Sequence, residues 1–302
     1  MIKVLVTGIT GFVGSHIAQL LQKDHQVIGL KRPGSDMWRC AEFERNIEWI
    51  DIDEEDRWQS AIIECAPNVI VHSAWIGVEA DKRGSWSDQV KNIPFLVSLL
   101  EIGKSLRIKK FIFLGSQAEY GNISGKISET ADVSALNAYA AIKLASLNVL
   151  QSFCELNDIN WIWLRLFSIF GEREGDGWLI PHVIKEMVSG TSMALTPGAQ
   201  KYAYLYVKDF ARIIKAIIVE KCNSGVYNIS SNEVQALDSL IKKIKAKVNP
   251  EFELNFGALP YRENQSMHME GDITKISGQI GPINFTNFDV ALNETINYYL
   301  TR

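Results

Sequence analysis

Over the first 170 positions the chain alternates short, uninterrupted apolar runs with longer amphipathic stretches. Ile2 to Val6 is a β-rich apolar run that ends at glycines, and Val13 to Leu21 then carries helical periodicity. The chain therefore opens as strand, tight turn and helix. Gln26 to Leu30 and Ile47 to Ile52 form a second and a third strand, Trp58 to Cys65 a helix, and Asn68 to His72 a fourth strand. The helix Pro94 to Leu106 precedes a fifth strand, Lys110 to Leu114. A long helix, Tyr139 to Leu156, precedes a sixth, Trp161 to Leu166. Strands that are apolar at successive positions are buried on both faces. Their alternation with helices predicts an α/β fold with a doubly wound parallel sheet.

The alternation weakens after residue 170. Gly171 to Gly177 is charged and glycine-rich, which predicts a loop, and Tyr204 to Val207 with the helix Asp209 to Val219 predicts one more βα unit returning to the sheet. Residues 223–302 mix short strands and helices. The expected division is 1–170 as the main domain with 203–222 returning to it, and 171–202 with 223–302 as a smaller α+β lobe.

Composition narrows the class. The 302 residues are 47% hydrophobic with a net charge of −4 and no basic tail, which argues against a nucleic-acid partner. Cys40, Cys65, Cys154 and Cys222 show no C-x-x-C spacing, as expected of reduced thiols in a cytoplasmic protein. The start has no signal-peptide layout and no apolar run reaches membrane-spanning length, so no membrane association is expected. His182 and His268 have no partner at metal-ligand spacing, so no metal is expected either, and His72, ending an apolar strand, reads as structural.

Gly8, Gly11 and Gly14 stand between the first strand and first helix, in Thr7-Gly8-Ile9-Thr10-Gly11-Phe12-Val13-Gly14. The first permits a sharp turn, the second lets the backbone approach a pyrophosphate, and the third lets helix and strand pack closely. The helix N-terminus offers free N–H groups to the anion. This predicts a Rossmann-type dinucleotide site. The end of the second strand selects the ribose: a carboxylate there suits NAD, whereas Lys31 and Arg32 suit a 2′-phosphate. They point to NADP(H), with NAD(H) as the alternative.

Tyr139 and Lys143 are four apart on one helix and so share a face. A lysine beside a phenol lowers its pKa from about 10, which makes Tyr139 a candidate acid or base. Taken singly, Tyr139 could be a core aromatic, Lys143 a solvated helix face and Ser116 a strand-end hydroxyl.

Thr7 to Gly14, Asp51-Ile52, His72-Ser73-Ala74, Gly115-Ser116 with Tyr120-Gly121, Tyr139 with Lys143, Leu164 to Phe167 and Val207-Lys208-Asp209 together resemble the extended short-chain dehydrogenase/reductase superfamily, in its sugar-nucleotide epimerase/dehydratase group. The resemblance covers nearly the whole chain. It implies that Gly8, Thr10, Gly11, Phe12, Val13, Gly14, Asp51, Ile52, Ser73, Ala74 and Phe167 bind the cofactor, Asp51 through the adenine amine and Ser73 and Ala74 beside the nicotinamide. It implies that Tyr139 exchanges a proton with a sugar carbinol, that Ser116 shares that oxygen, and that Lys143 binds the nicotinamide ribose. It further implies a homodimer through the helices Pro94 to Leu106 and Tyr139 to Leu156.

Departures from the family pattern narrow the reaction. Sugar-nucleotide dehydratases carry an acidic pair after the Ser/Thr position, where this chain has Gln117 and Ala118. Glu119 lies one place further, and on an extended segment would point away, as a solvated or loop-capping side chain. Ser168 replaces an asparagine, and Lys201-Tyr202-Ala203 replaces an Arg-Asp pair. Arg262 looks like the family's diphosphate arginine. Trp75 could shape the sugar pocket, and Trp178 could stack on a base or pack between lobes. Trp75, Gln117, Ser168, Trp178, Lys201 and Arg262 are thus the candidate substrate contacts. The chain looks most like nucleotide-4-keto-6-deoxysugar reductases of the CDP-abequose, CDP-paratose or dTDP-fucose kind. A nucleotide-sugar 4-epimerase with tightly held NAD and a non-catalytic dinucleotide sensor are the alternatives.

Overall fold

The computed structural model describes residues 1–53, 55, 57–263 and 265–302. Seven parallel strands build the main sheet. In chain order they are β1 (Lys3–Thr7), β2 (Gln26–Lys31), β3 (Ile47–Asp51), β4 (Val69–His72), β5 (Lys110–Ser116), then Asn160–Leu166 and Gly225–Ile229. The helices are α1 (Phe12–Leu21), α2 (Arg57–Cys65), α3 (Trp86–Gln89), α4 (Asn92–Ser105), α5 (Ala138–Leu156), α6 (Leu179–Ser189), α7 (Val207–Val219), α8 (Leu237–Val248), α9 (Thr274–Ile280) and α10 (Phe288–Leu300).

Both faces of the sheet are covered, as the uninterrupted apolar runs require. Val4, Val6, Val69, Val71 and Ile112 face α1 and α7, meeting Ile17, Leu21, Phe210 and Ile214. Their neighbours Leu5, Ile28, Ile70, Phe111 and Phe113 face the other way, onto Trp58, Leu96, Leu99, Leu147 and Leu150 of α2, α4 and α5. The alternation follows from the two-residue period of a strand. This is the expected Rossmann-type doubly wound α/β architecture.

β1 pairs with β2 on one side and β4 on the other. The chain runs outward to β3 before crossing back, so the order reverses at β1, and the carboxyl ends of β1 and β4 open a crevice there. Thr7 ends β1 and His72 ends β4, with Gly8 and Ser73 directly following them at these ends.

Two elements differ from the sequence expectation. Leu205–Tyr206 does not join the main sheet but pairs in parallel with Ile169–Phe170, and only the following helix, α7, returns to it. The seventh strand is Gly225–Ile229, paired with Asn160–Leu166, inside the stretch assigned from sequence to the smaller lobe. Leu205–Tyr206 is two residues long before α7 begins, too short to span the sheet. Gly-Val-Tyr-Asn-Ile carries a glycine and an asparagine, which hide a buried strand.

The smaller lobe holds a four-stranded sheet in the order Gln235–Ala236, Lys201–Tyr202, His268–Gly271, Gly125–Ile127. Its own core lies between α6, α8 and α10, around Ile184, Leu240, Ile244, Phe252 and Leu292. Gly125–Ile127 comes from the segment between β5 and α5, so the two parts of the chain interleave. Among the described residues no helix is long and apolar enough to cross a membrane.

Candidate active site

The glycine turn is built as its sequence demands. Gly8 has φ +67°, a left-handed conformation that L side chains rarely adopt. A Cβ on Gly8 would lie 2.6 Å from the Ala74 nitrogen, and one on Gly14 would lie 2.2 Å from the Gly8 oxygen. Gly11 caps α1 in an extended conformation with no side-chain hydrogen bond. The first N–H groups of a ten-residue helix are therefore left for an anion, and the bare backbone gives a diphosphate room to approach. Thr10 lies in this turn, and Phe12 and Val13 begin the helix. These residues fit a bound dinucleotide.

The ends of β2 and β3 carry a contact that the sequence does not announce. Lys31 ends β2 directly opposite Asp51 on β3, and the two form an ion pair. The residue expected to hold a 2′-phosphate and the one expected at the adenine thus meet each other, because strand register puts an ammonium beside a carboxylate. Arg32 is exposed; its carbonyl accepts the Ser35 N–H at 3.1 Å, and its side chain makes no hydrogen bond or ion pair among the described residues. Ile52 packs against the α2 side of the core.

At the crevice, Thr7 accepts the Ser73 hydroxyl on its carbonyl at 2.7 Å, and its own hydroxyl meets His72 Nδ1 at 2.7 Å. Burial first, and the Lys143 charge second, pull the His72 pKa down to about 3, so its ring is neutral. His72 ties β1 to β4, and Ser73 and Ala74 line the junction.

Ser116 ends β5, and Tyr139 and Lys143 lie one turn apart near the start of α5, where the Asn137 side chain caps the helix by accepting from the Ala140 N–H at 3.0 Å. The Ser116 side chain lies beside the Tyr139 phenol and draws its pKa down against burial. Lys143, fully enclosed, donates to the Leu114 carbonyl at 2.7 Å and rests 3.7 Å over the Trp75 ring. The three side chains expected from sequence thus come together, but their electrostatics differ from the expectation. A buried ammonium must find an acceptor, and here Lys143 takes the β5 carbonyl, 5.8 Å from the Tyr139 ring centre. Burial pushes the Tyr139 phenol above its usual pKa, and the groups that pull it back are Ser116 and Arg83. Burial draws Lys143 below the usual lysine range, opposed by the Glu119 charge.

Arg83 and Glu119 were the functional candidates hidden in the sequence. Arg83, on the loop after β4, accepts the Tyr139 N–H on its carbonyl at 2.9 Å. Its guanidinium lies 5.0 Å over the Tyr139 ring and 5.6 Å over the Trp178 ring, so it bridges the loop before α6 and the start of α5. Nothing in the loop's spacing announces it. Glu119 is neither solvated nor on an extended segment. Residues Gln117–Tyr120 form a 3-10 turn in which Ser116 and Glu119 cap each other, and the Glu119 carboxylate is buried against Arg165 at 2.7 Å. The spacing Ser116-Gln117-Ala118-Glu119 is a capping box, which was the available signal.

The candidate substrate residues surround this set unevenly. Trp75 stands edge-on to Tyr139 at 6.0 Å, its indole N–H held by Gln89 at 2.8 Å. The Gln117 Oε1 atom is buried with no hydrogen-bond partner among the described residues. Trp178 is 43% exposed, with the Arg83 guanidinium over its ring. Phe167 is buried with Tyr120, Ile127 and Met269. Ser168 holds Leu205 through its carbonyl at 2.7 Å. Lys201 and Arg262 are exposed, and the Arg262 charge reaches Tyr202, next to Lys201. Among the described residues no group of three or more His, Cys, Asp and Glu is gathered as a metal site.

The chain is similar to known proteins over most of its length. CDP-abequose synthase of Salmonella muenchen is 27% identical over 273 residues, covering 88% of this chain and 87% of that one. An uncharacterized UDP-glucose epimerase of Bacillus subtilis (strain 168) is 28% identical, covering 72% of each chain. The structure of UDP-glucuronic acid 4-epimerase from Bacillus cereus, in complex with UDP-glucuronic acid and NAD, superposes with a TM-score of 0.87 at 25% identity over 99% of both chains. The NAD dependent epimerase/dehydratase family model matches residues 4–230, across the glycine turn, the Ser116, Tyr139 and Lys143 set and the seventh strand, and the chain is a member of that family.

Proposed function

We propose that this protein is an NADPH-dependent reductase of the C4 ketone of a nucleotide-linked 4-keto-6-deoxyhexose, serving activated-sugar synthesis for cell-surface polysaccharide. The observation that carries the proposal is the Tyr139 phenol, placed beside Ser116 one helical turn before Lys143 and kept protonated by burial. A ketone that accepts hydride needs a proton at oxygen, and a neutral phenol supplies it. The similarity to CDP-abequose synthase over most of the chain supports the same reading.

Gly8, Gly11, Gly14 and the α1 N-terminus would hold the diphosphate of the cofactor, with Lys31, Arg32 and Asp51 at its adenosine end and Ser73 and Ala74 beside the nicotinamide. When bound, the cofactor supplies a hydride to the sugar carbon. Ser116 hydrogen-bonds the carbonyl oxygen and polarises it. Tyr139 gives its phenolic proton to the alkoxide that forms and is left as phenolate, to be reprotonated from solvent. Lys143, freed from Leu114, would bind the nicotinamide ribose and stabilise that phenolate. Trp75 and Gln117 line the sugar, the Gln117 Oε1 atom offering an acceptor to a sugar hydroxyl. Lys201 and Arg262 would meet the substrate diphosphate, and Trp178 the base. Water loss is not expected, since Gln117 and Ala118 cannot act as acid and base and the Glu119 carboxylate is occupied by Arg165.

A second reading, a 4-epimerase with retained NAD, is favoured by the Lys31–Asp51 pair, which keeps Lys31 from a 2′-phosphate. Purified protein is mixed with NADPH or NADH and with CDP- or dTDP-4-keto-6-deoxyglucose. The reductase consumes reduced nicotinamide in step with product. Co-purified NAD that does not exchange, with epimers interconverting and no net oxidation, would overturn it. We also infer a cytoplasmic homodimer joined through α4 and α5, on which Val97 and Leu156 are exposed.

A further inference from the structure

The turn after β5 carries a charged group that the reduction does not consume. Glu119 is fully buried, and its carboxylate accepts the Ser116 backbone N–H at 2.7 Å, the Trp163 indole N–H at 3.0 Å and the Arg165 Nε–H at 2.7 Å. Three donors from three directions fix a carboxylate firmly. Each donor is itself held. Trp163 stacks on Phe113 at 4.2 Å, and the Lys143 ammonium lies 4.9 Å from the centre of the Phe113 ring. Arg165 lies 4.4 Å over the Tyr120 ring, and the Tyr120 hydroxyl donates to Asn228 at 2.7 Å. The Ser116 hydroxyl in turn accepts the Ala118 N–H at 3.1 Å and meets Tyr139.

A buried ion pair is weak support for stability, because desolvation offsets much of its attraction. Apolar side chains could fill the same space. They could not hold the Ser116 N–H, and they would put no charge on this side of Tyr139 and Lys143. Those two residues are faced by His72 on β4, Arg83 on the following loop and Glu119, which is itself paired with Arg165 on the strand Asn160–Leu166. His72 is neutral. Burial pushes the Glu119 carboxyl above its usual range, and the Arg165 charge and hydrogen bond, the Ser116 N–H and the Lys143 charge pull it back. With those donors in place Glu119 is the group that supplies negative charge to the set.

We propose that Glu119 is a positioning residue of the reaction, holding Ser116 in place through its N–H and keeping Lys143 cationic and Tyr139 in its phenol form. The proposal rests on the reductase reading of Ser116, Tyr139 and Lys143, and its test keeps the two apart. Full-length Glu119→Gln, Glu119→Asp and the double variant Glu119→Gln/Arg165→Gln are compared with the wild type. The double variant removes the guanidinium that Glu119→Gln alone would leave buried and unpaired, and serves if the single variant does not fold. NADPH titration and KM should be unchanged, while kcat falls about 10- to 100-fold. The alkaline limb of the kcat profile should move to lower pH, since losing the anion eases proton loss from both Lys143 and Tyr139. Glu119→Asp, which keeps the charge, should leave that limb in place. Unchanged kcat in a folded Glu119→Gln, or reduced kcat with an unmoved limb, overturns the proposal. If the wild type reduces no 4-keto sugar, it is the reductase reading that fails. Glu119 is then tested by the phenolate absorbance of Tyr139 with NADP⁺ bound, taken as wild type minus Tyr139→Phe. A lower midpoint in Glu119→Gln supports its role and an unchanged midpoint overturns it.

Discussion

Replacing Lys31 by methionine tests the cofactor assignment where the structure has complicated it. Lys31 pairs with Asp51, whose side chain is 54% exposed. A pair open to water contributes about 0.2–1 kcal/mol, so leaving it costs Lys31 no more than about 1 kcal/mol. A lysine bonded to a phosphate contributes about 1.5–3 kcal/mol. The difference, about 0.5–2.8 kcal/mol, corresponds to an NADPH preference over NADH of roughly 2- to 100-fold from Lys31. Lys31→Met should therefore weaken NADPH by that factor and leave NADH nearly unchanged. Asp51→Asn should act oppositely on the ratio, because it frees the ammonium, while weakening both cofactors at the adenine. Fluorescence titration of the wild type and both variants with each cofactor reads the ratio directly. Equal loss of NADPH and NADH affinity in Lys31→Met would refute the reasoning and place Lys31 in a structural role with Asp51.

Tyr139→Phe should lower kcat by about 10²- to 10⁴-fold while cofactor titration and thermal unfolding stay as in the wild type; surviving activity would remove Tyr139 from the chemistry and revive a sensor function. Gly115→Ala would put a Cβ 2.1 Å from the Trp163 indole nitrogen and 2.7 Å from Glu119 Oε1, an overpacking that costs about 1–3 kcal/mol, and a urea midpoint equal to the wild type would contradict the crowding. Burial pushes the Glu174 carboxyl up from 4.5 to about 8. Its folded pKa lies above its unfolded one, so its contribution is complete below pH 4.5 and is lost as pH rises towards 8. Glu174→Gln should flatten the decline in denaturant stability across that window and be more stable than the wild type at its upper end; an unchanged slope would show that the wild-type carboxylate finds a partner when it ionises.

How much of this site could be read from the sequence depends on which residue chooses each partner. Strands β1 to β5 are written locally, because burial on both faces demands apolar residues at successive positions. The glycine turn is local too: Gly8 is needed for its own φ and Gly14 for a contact six residues back. Tyr139 and Lys143 share a helix face by spacing alone. Their charges are another matter. Lys143 bonds the end of β5, and the cation over the Tyr139 ring comes from a loop after β4. Lys31 meets Asp51 because β2 and β3 pair in that register. In each case sequence gives the residue and its direction, while the partner is set by which strand ends become neighbours. Glu119 lies between these limits. The Ser-x-x-Glu spacing that folds it back onto Ser116 is local, but Arg165, which makes its burial tolerable, stands on the neighbouring strand. A cap written in sequence became part of the site only because strand pairing supplied the counter-charge. Variants that keep the cap and alter the counter-charge therefore separate local geometry from electrostatics. Arg165→Lys, which keeps the charge but loses the fixed fork, should hold the alkaline limb of kcat where it is while loosening Ser116 and lowering kcat itself. A limb that shifts in Arg165→Lys with kcat intact would reverse that order of importance.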